Sequence, residues 1–475
     1  MPLQDLRTFL QTLDTRGDLK ILRDADPNLE IGAITELSLQ RNGPALLFES
    51  ILGYAPSYRV AANVLSTPRR ALLALGMDPE LPEDVAIHRF REIWDNYKPV
   101  PPRVVDTGPV LENVRTGDDI DLLQFPVPLW HERDGGPYIG TGGAIIHRDP
   151  DSGAVNVGTY RVQLHDKRTT GLFTNNETDG RQIMEKYWAA GKPAPVAISF
   201  GPEPLLFASA ASNNGSPKGP HEYEYTGYLA GEPVSVIQGA VTGLPISAHS
   251  EIAIEGEVAP PTEKAETEGP FGEWTGYYEF SQTREPVVQV KALYFRNDPI
   301  LFGAPPFYLR ANHSYSFALS LRSAGTLSRF AEMELPVRRM VPIGPFGCTV
   351  VTVEQQHKDD VPRILDALAK SGFARLTIVL DDDVDPYDPW DVLWALSTRV
   401  APDDTRIIPF QNRNLLDPLR PMGNRATREP LADKRIIING CRAFERLADF
   451  PPVNRFSEER REEVWAKWSM ADWLK

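Results

Sequence analysis

AVNVGTYRVQL, residues 154–164, is the stretch on which the reading of the fold turns. It is rich in β-branched residues and is interrupted by one glycine, Gly158. Similar runs surround it. GAIIHRD (143–149) precedes it, and PVAISFG (195–201), EPVSVIQGAV (232–241), SEIAIEGEV (250–258) and PVVQVKALYF (286–295) follow, with turn residues between them. Short β-type runs at this spacing predict a barrel or sandwich across 138–305, with a helix interrupting at 181–190.

On the N-terminal side, Leu3, Leu6, Phe9, Leu10 and Leu13 have helical spacing, and Gly17 stands where a C′ residue would end that helix. Residues 19–22 read as a strand, 31–39 as a helix and 44–48 as a buried strand, so 1–105 forms an α/β unit. The proline-rich KPVPPRVVDTGP (98–109) marks the crossing into the β-rich region, 106–315. Beyond it, 316–475 is α/β again. HSYSFALSLRSAG (313–325), VPRILDALAK (361–370) and DVLWALSTRV (391–400) read as helices, the last with Val392, Leu393 and Leu396 on one side. CTVVTVE (348–354) and ARLTIVLDDDVD (374–385) read as strands. The chain closes on a charged amphipathic helix carrying Trp465, Trp468 and Trp473, a subunit contact or an intramolecular lid.

Composition narrows the function classes. At roughly 150 residues per domain, 475 residues suggest three domains. Apolar residues at 41% and charged residues at 24% exclude global disorder and a fibrous repeat. Fifty Lys and Arg against 65 Asp and Glu give a net charge of −15, a poor match to nucleic acid or an anionic membrane. No apolar run reaches the ~18 residues of a membrane span, and the first twenty residues mix charges into their apolar pattern, so a cytoplasmic protein is expected. Cys348 and Cys441 have no cysteine neighbours, which argues against a Cys-ligated metal or a disulfide framework.

Three segments carry candidate chemistry. Asn156 and Arg161 lie five apart, on opposite faces of a regular strand, and meet at one site only if the chain bends at Gly158. Alone, Arg161 reads as a surface or ion-pair arginine. In HEYEYTGYLAGEP (221–233), Glu222 and Glu224 share a face if the segment is extended and could hold a hard divalent cation; a strand edge or helix start is the alternative. In ETEGPFGEWTGYYEF (266–280), Glu268 and Glu273 flank a Gly-Pro turn beside Trp274, Tyr277 and Tyr278. Two carboxyls in an apolar wall have raised, split pKa values, so one becomes a proton donor near neutral pH; a turn with surface acids is the alternative. DDDVDPYDPWDV (381–392) fails as an EF-hand, with Pro386 and Val392 at its sixth and twelfth positions, and reads as a strand-to-helix loop with the helix starting at Asp388 or Pro389. The eight histidines are scattered, and neither a P-loop nor a nucleophile elbow is present.

Taken in order, DPNLEIGAITELSLQRNGPALLFESILGY (26–54), NVGTYRVQ (156–163), HEYEYTGYLAGEP (221–233), EGPFGEWTGYY (268–278) and LDDDVDPYDPWDVLWALSTRV (380–400) resemble the UbiD family of decarboxylases nearly end to end. The resemblance implies an α+β fold: a central split β-barrel of the FMN-binding type, an N-terminal α/β domain and a C-terminal α/β dimerisation domain. It implies prenylated FMN, with Asn156 and Glu222 holding Mn²⁺ or Mg²⁺ at the cofactor phosphate. K⁺ would lie near Ala211, Ser212 and Asn214; Ser212, Asn213, Asn214 and Lys434 would contact the cofactor. The family's metal-binding His is missing from GLFTNNETDGRQ (171–182), where Asp179 or Glu177 takes its place and adds negative charge beside a phosphate. The family's catalytic trio maps to Glu268, Arg161 and Glu273, with Arg161 orienting a carboxylate and Glu273 transferring the proton. The implied partners are a small aromatic, heteroaromatic or α,β-unsaturated carboxylic acid, CO₂, a flavin prenyltransferase that supplies the cofactor, and further copies of the chain in a homodimer or hexamer. Phe302, Pro305, Pro306, Phe307 and Leu309 are candidates for the far wall of the pocket. A metal-dependent hydrolase using the Glu268/Glu273 pair, or an inactive flavin-binding homologue, are the competing readings.

Overall fold

The computed structural model describes residues 5–211, 222–279, 283–308, 315–343, 347–371, 374–421 and 429–470. The first helix, Leu6–Thr15, starts where the Asp5 carboxylate accepts the Thr8 N–H at 2.8 Å, an N-cap that satisfies one otherwise unpaired amide. Its buried face is Leu6, Phe9, Leu10 and Leu13, and Gly17 (φ 70°) turns the chain after it. Leu3 lies outside the described residues. The helix covers a four-stranded sheet in the order Leu19–Arg23, Ala45–Glu49, Arg59–Ala62, Ile300–Gly303. The fourth strand arrives from far along the chain and pairs in parallel with Arg59–Ala62. Ile300 and Phe302 then complete the apolar cluster under the first helix.

The β-rich runs form an antiparallel sheet along the path Thr169–Gly171, Thr283–Phe295, Ile252–Val258, Ala194–Phe200, Gly143–Arg148, Val155–Gly158. Among the described residues this path does not close into a barrel. Its strands are buried on both faces, which explains their near-continuous apolar runs. Ile145, Ile198, Ile254 and Leu293 stand in register on one face; Ala144, Ile146, Ala197, Ala253 and Tyr294 belong to the cluster on the other. The expected intervening helix is Asp179–Ala189. The run at 232–241 lies elsewhere: Ser235–Gln238 pairs with Pro245–Ser247 and Arg103–Val104 in a small separate sheet.

The C-terminal sheet has the order Val337–Ile343, Cys348–Val353, Leu376–Asp381, Leu431–Asn439, Thr405–Asn412, parallel at its centre and antiparallel at both edges. The acidic loop 381–388 leads into the helix Pro389–Arg399, with Asp388 as N-cap and Pro389 in the first turn. Leu393 corrects the expected helix face. At 100° per residue the inward positions are Val392 and Ala395, and Leu393 is 54% exposed. Trp465 and Trp468, on and just after the helix Glu458–Lys467, are exposed, and Trp473 lies outside the described residues. Both cysteines are free thiols. Among the described residues no helix is long and apolar enough to cross a membrane.

Candidate active site

The bend required between Asn156 and Arg161 is present. The strand Val155–Gly158 stops at the glycine, and pairing resumes at Val162–Gln163. Tyr160 folds back over the bend: a Cβ on Gly158 would lie 2.6 Å from the Tyr160 hydroxyl, and one on Gly180 would lie 2.8 Å from its ring. No larger residue fits at either position without displacing that ring. The Tyr160 hydroxyl accepts the Gly180 N–H at 3.2 Å, tying the start of the helix Asp179–Ala189 to the bend.

Two polar groups lie on either side of this joint. On one side, Asn156 is buried, and its amide nitrogen has no hydrogen-bond partner among the described residues. Opposite it in register stands His147, fully buried and held neutral, its pKa pushed down to about 4 by burial. Glu222 opens the helix Glu222–Ala230 and accepts the Val157 N–H at 2.9 Å. Burial, reinforced by the negative charge of Asp179, pushes Glu222 up to about 7. The helix also settles the reading of 221–233: Glu222 and Glu224 lie 200° apart around the axis, not on a shared face. Asp179 is exposed at the start of its helix, while Glu177 pairs with Arg413 at 3.2 Å. The carboxamide oxygen of Asn156 and two carboxylates that repel each other are hard oxygen donors of the kind a divalent cation takes. Among the described residues no three His, Cys, Asp or Glu side chains cluster as a metal site. Ser212, Asn213 and Asn214 lie outside the described residues, and Lys434 is exposed on the C-terminal sheet.

On the other side, Arg161 is buried among carboxylates. Its Nε and Nη2 donate to the two oxygens of Glu268 at 2.7 and 2.6 Å. Its Nη1 donates to Glu273 and also lies 2.8 Å from Glu279. The Phe173 ring stacks on the guanidinium at 3.8 Å, and Phe271 lies 5.4 Å away. Burial opposes the arginine's charge, but Glu268, Glu279 and Glu273 outweigh it and hold its pKa well above the usual range. Glu273 is pushed up to about 7, chiefly by burial and further by Glu279, against the pull of Arg161. Tyr138 donates to Glu268 at 2.8 Å, and its phenol is raised by burial and by that neighbour.

A hairpin brings these acids together. Phe271–Gly272 pairs with Tyr278–Glu279, the Glu273 N–H donates to the Tyr277 carbonyl at 2.9 Å, and Gly276 takes the left-handed turn position (φ 79°). The loop His131–Asp134 supports the hairpin from behind. Asp134 accepts from Gly272 N at 3.1 Å and from the His131 ring at 2.8 Å, while His131 Nε2 meets the Pro306 carbonyl at 2.7 Å. Of the wall candidates, Pro306 and Phe307 thus reach the site through His131. Phe302 instead packs on Phe207 in the N-terminal core, and Leu309 lies outside the described residues. Glu279, Tyr138, His131 and Asp134 were not among the residues expected from sequence. Glu279 alone had a readable signal, since a hairpin folded at Gly276 puts it on the same face as Glu273.

Family models cover most of the chain. They match the N-terminal domain of 3-octaprenyl-4-hydroxybenzoate carboxy-lyase at residues 10–86, its Rift-related domain at 103–307 and its C-terminal domain at 336–440. The chain belongs to the UbiD family. Among UbiD relatives, pyrrole-2-carboxylic acid decarboxylase of Pseudomonas aeruginosa is 32% identical over 84% of this chain and 83% of its own. A phenolic acid decarboxylase of a Streptomyces species is 30% identical over 86% and 87%. The UbiD-class enzyme HmfF of Pelotomaculum thermopropionicum, solved with FMN, superposes with a TM-score of 0.83 at 26% identity, covering 99% of this chain and 100% of that one.

Proposed function

We propose that this protein is a reversible, non-oxidative carboxy-lyase that acts on an aromatic, heteroaromatic or α,β-unsaturated carboxylic acid with prenylated FMN. One observation carries the reading: a buried glutamic acid, Glu273, whose pKa is pushed up to about 7 while it is bonded to an arginine that Glu268 fixes on its other edge. A group of that acidity can hold a proton near neutral pH and release it to carbon. When bound, the modified isoalloxazine supplies the electron sink for the pair left behind as CO₂ departs. Glu268 and Tyr138 fix Arg161, Arg161 fixes Glu273, and Glu273 delivers its proton to the carbon that lost the carboxylate and recovers one from solvent. Phe173 and Phe271 keep water from the guanidinium. The decarboxylase relatives and the FMN-bound neighbour support this assignment.

Asn156, Glu222 and Asp179 would hold Mn²⁺ or Mg²⁺ at the cofactor phosphate, with K⁺ beside 211–214 and Lys434 approaching from the C-terminal domain. In the same reading the open central sheet is the split barrel, the divisions fall at 105 and 315, and the C-terminal domain joins subunits in a homodimer or hexamer. The test is protein co-produced with a flavin prenyltransferase. It should absorb in the visible and release CO₂ from members of a broad acid panel. Glu273→Gln should keep the colour and lose on the order of 10²–10⁴ in rate; unchanged turnover would remove Glu273 from the mechanism.

A further inference from the structure

Arg161 meets three carboxyls in a dry site: Glu268 is fully buried, and Glu273 and Glu279 are 5% and 4% exposed. Among the described residues one positive charge meets these three carboxyls, and it cannot balance three negative charges where water cannot screen them, so at least one carboxyl is protonated. The donor geometry decides which. Glu268 takes Nε and Nη2 together, the paired arrangement that suits a carboxylate best. The remaining nitrogen, Nη1, is shared between Glu273 and Glu279. Glu279 is fixed there by the hairpin, where it pairs across the strands with Phe271 and shares a face with Glu273.

We infer that Glu279 is a positioning residue: by sharing Nη1 it leaves Glu273 as the surplus carboxyl and so makes Glu273 the proton carrier. The inference rests on the decarboxylase reading. Without Glu279, Arg161 would offer one edge to each remaining carboxylate, and Glu273 would ionise more readily. Among the described residues, the other titratable groups facing the cluster are Tyr138 and His165 on the Glu268 side, with His131, Asp134 and Tyr278 behind the hairpin. None of them shares an arginine nitrogen with Glu273.

The experiment compares rate against pH for cofactor-reconstituted wild type, Glu279→Gln and Glu279→Asp, using one acid that the wild type turns over. Activity falls as pH rises through the Glu273 pKa. In Glu279→Gln that alkaline limb should move down by on the order of one pH unit, and Glu279→Asp should move it back toward wild type. An unmoved limb, or an equal loss at every pH, would overturn the inference. In parallel, the protonated-carboxyl band of Glu273, taken as the infrared difference between each protein and its Glu273→Gln partner, is titrated without substrate. Its midpoint should also fall in Glu279→Gln, and an unmoved midpoint overturns the inference. If the wild type decarboxylates nothing, the functional reading fails, while the infrared midpoint still decides the role of Glu279.

Discussion

The Arg161 cluster contrasts with a second ion network, built around the buried Glu251, where Arg7 and Arg296 meet Glu251 and Asp5. There Arg7 bonds both oxygens of Glu251 at 2.8 Å, and Arg296 lies 2.8 Å from Asp5 and 3.3 Å from Glu251. Two cations face two anions, and Asp5 is held below the usual carboxylate range: Thr8 and Arg296 overcome the effect of burial. The C-terminal network of Arg399 and Arg442 with Asp381 and Asp383 is balanced in the same way. The Arg161 cluster is lopsided by comparison, at one cation to three acids among the described residues. Balanced networks act as clamps, whereas a surplus of acid leaves a group that must take up a proton near neutral pH.

This contrast can be broken at several points. Arg161→Ala should have the largest effect, since it strands three buried carboxyls. Expected are loss of turnover by at least ~10⁴ and destabilisation by about 3–5 kcal/mol, read by CO₂ release and by denaturant melts. Glu251→Ala should cost about 1.5–3 kcal/mol, since it removes the carboxylate that Arg7 grips and one of the two that Arg296 meets, yet leave the shape of the pH–rate profile untouched. If that profile moves, the clamp is coupled to the chemistry and the distinction fails.

The pH dependence of stability should separate the two kinds of cluster. Glu273 has a folded pKa of about 7, above its ordinary 4.5, so its contribution is fully present below 4.5 and is lost as pH rises toward 7. Asp5, held low, behaves oppositely: its contribution is present above its ordinary 3.8 and is lost as acid takes pH below that value. Thermal melts of Glu273→Gln should therefore show a weaker decline from pH 4.5 to 7, and Asp5→Asn a weaker loss in acid. The smallest effect expected is from Leu393→Gln, within about 0.5 kcal/mol, because that side chain faces solvent.

The contrast also marks what could be read from sequence. Periodicity located the first helix, and its buried face is the one the spacing predicted, because local spacing alone determines it. Glu268 and Glu273 were visible because a short Gly-Pro turn links them. Glu279 was missed because its place depends on a hairpin closing at Gly276: the glycine signals the turn, but the spacing of the acids alone does not bring Glu279 beside Glu273. For Glu222 and Glu224, spacing alone could not separate an extended segment from a helix start, since HEYEY alternates like a strand; Tyr223 and Tyr225 are buried in different clusters on a helix. The charge imbalance itself is a property of assembly, since Arg161 and Glu268 are 107 residues apart.

Ile300–Gly303 has a consequence for synthesis. The N-terminal sheet lacks its last strand until residue 303 has been made, some 240 residues after Ala62. At roughly 5–20 residues per second, the Arg59–Ala62 edge is left unpaired for about 10–50 s of translation. Glu251 ties this late strand in place, accepting the Ile300 N–H at 3.1 Å while it grips Arg7. The clamp thus doubles as the latch by which a growing chain joins its beginning to a segment made long afterwards, and a cell short of chaperones would meet the open edge first.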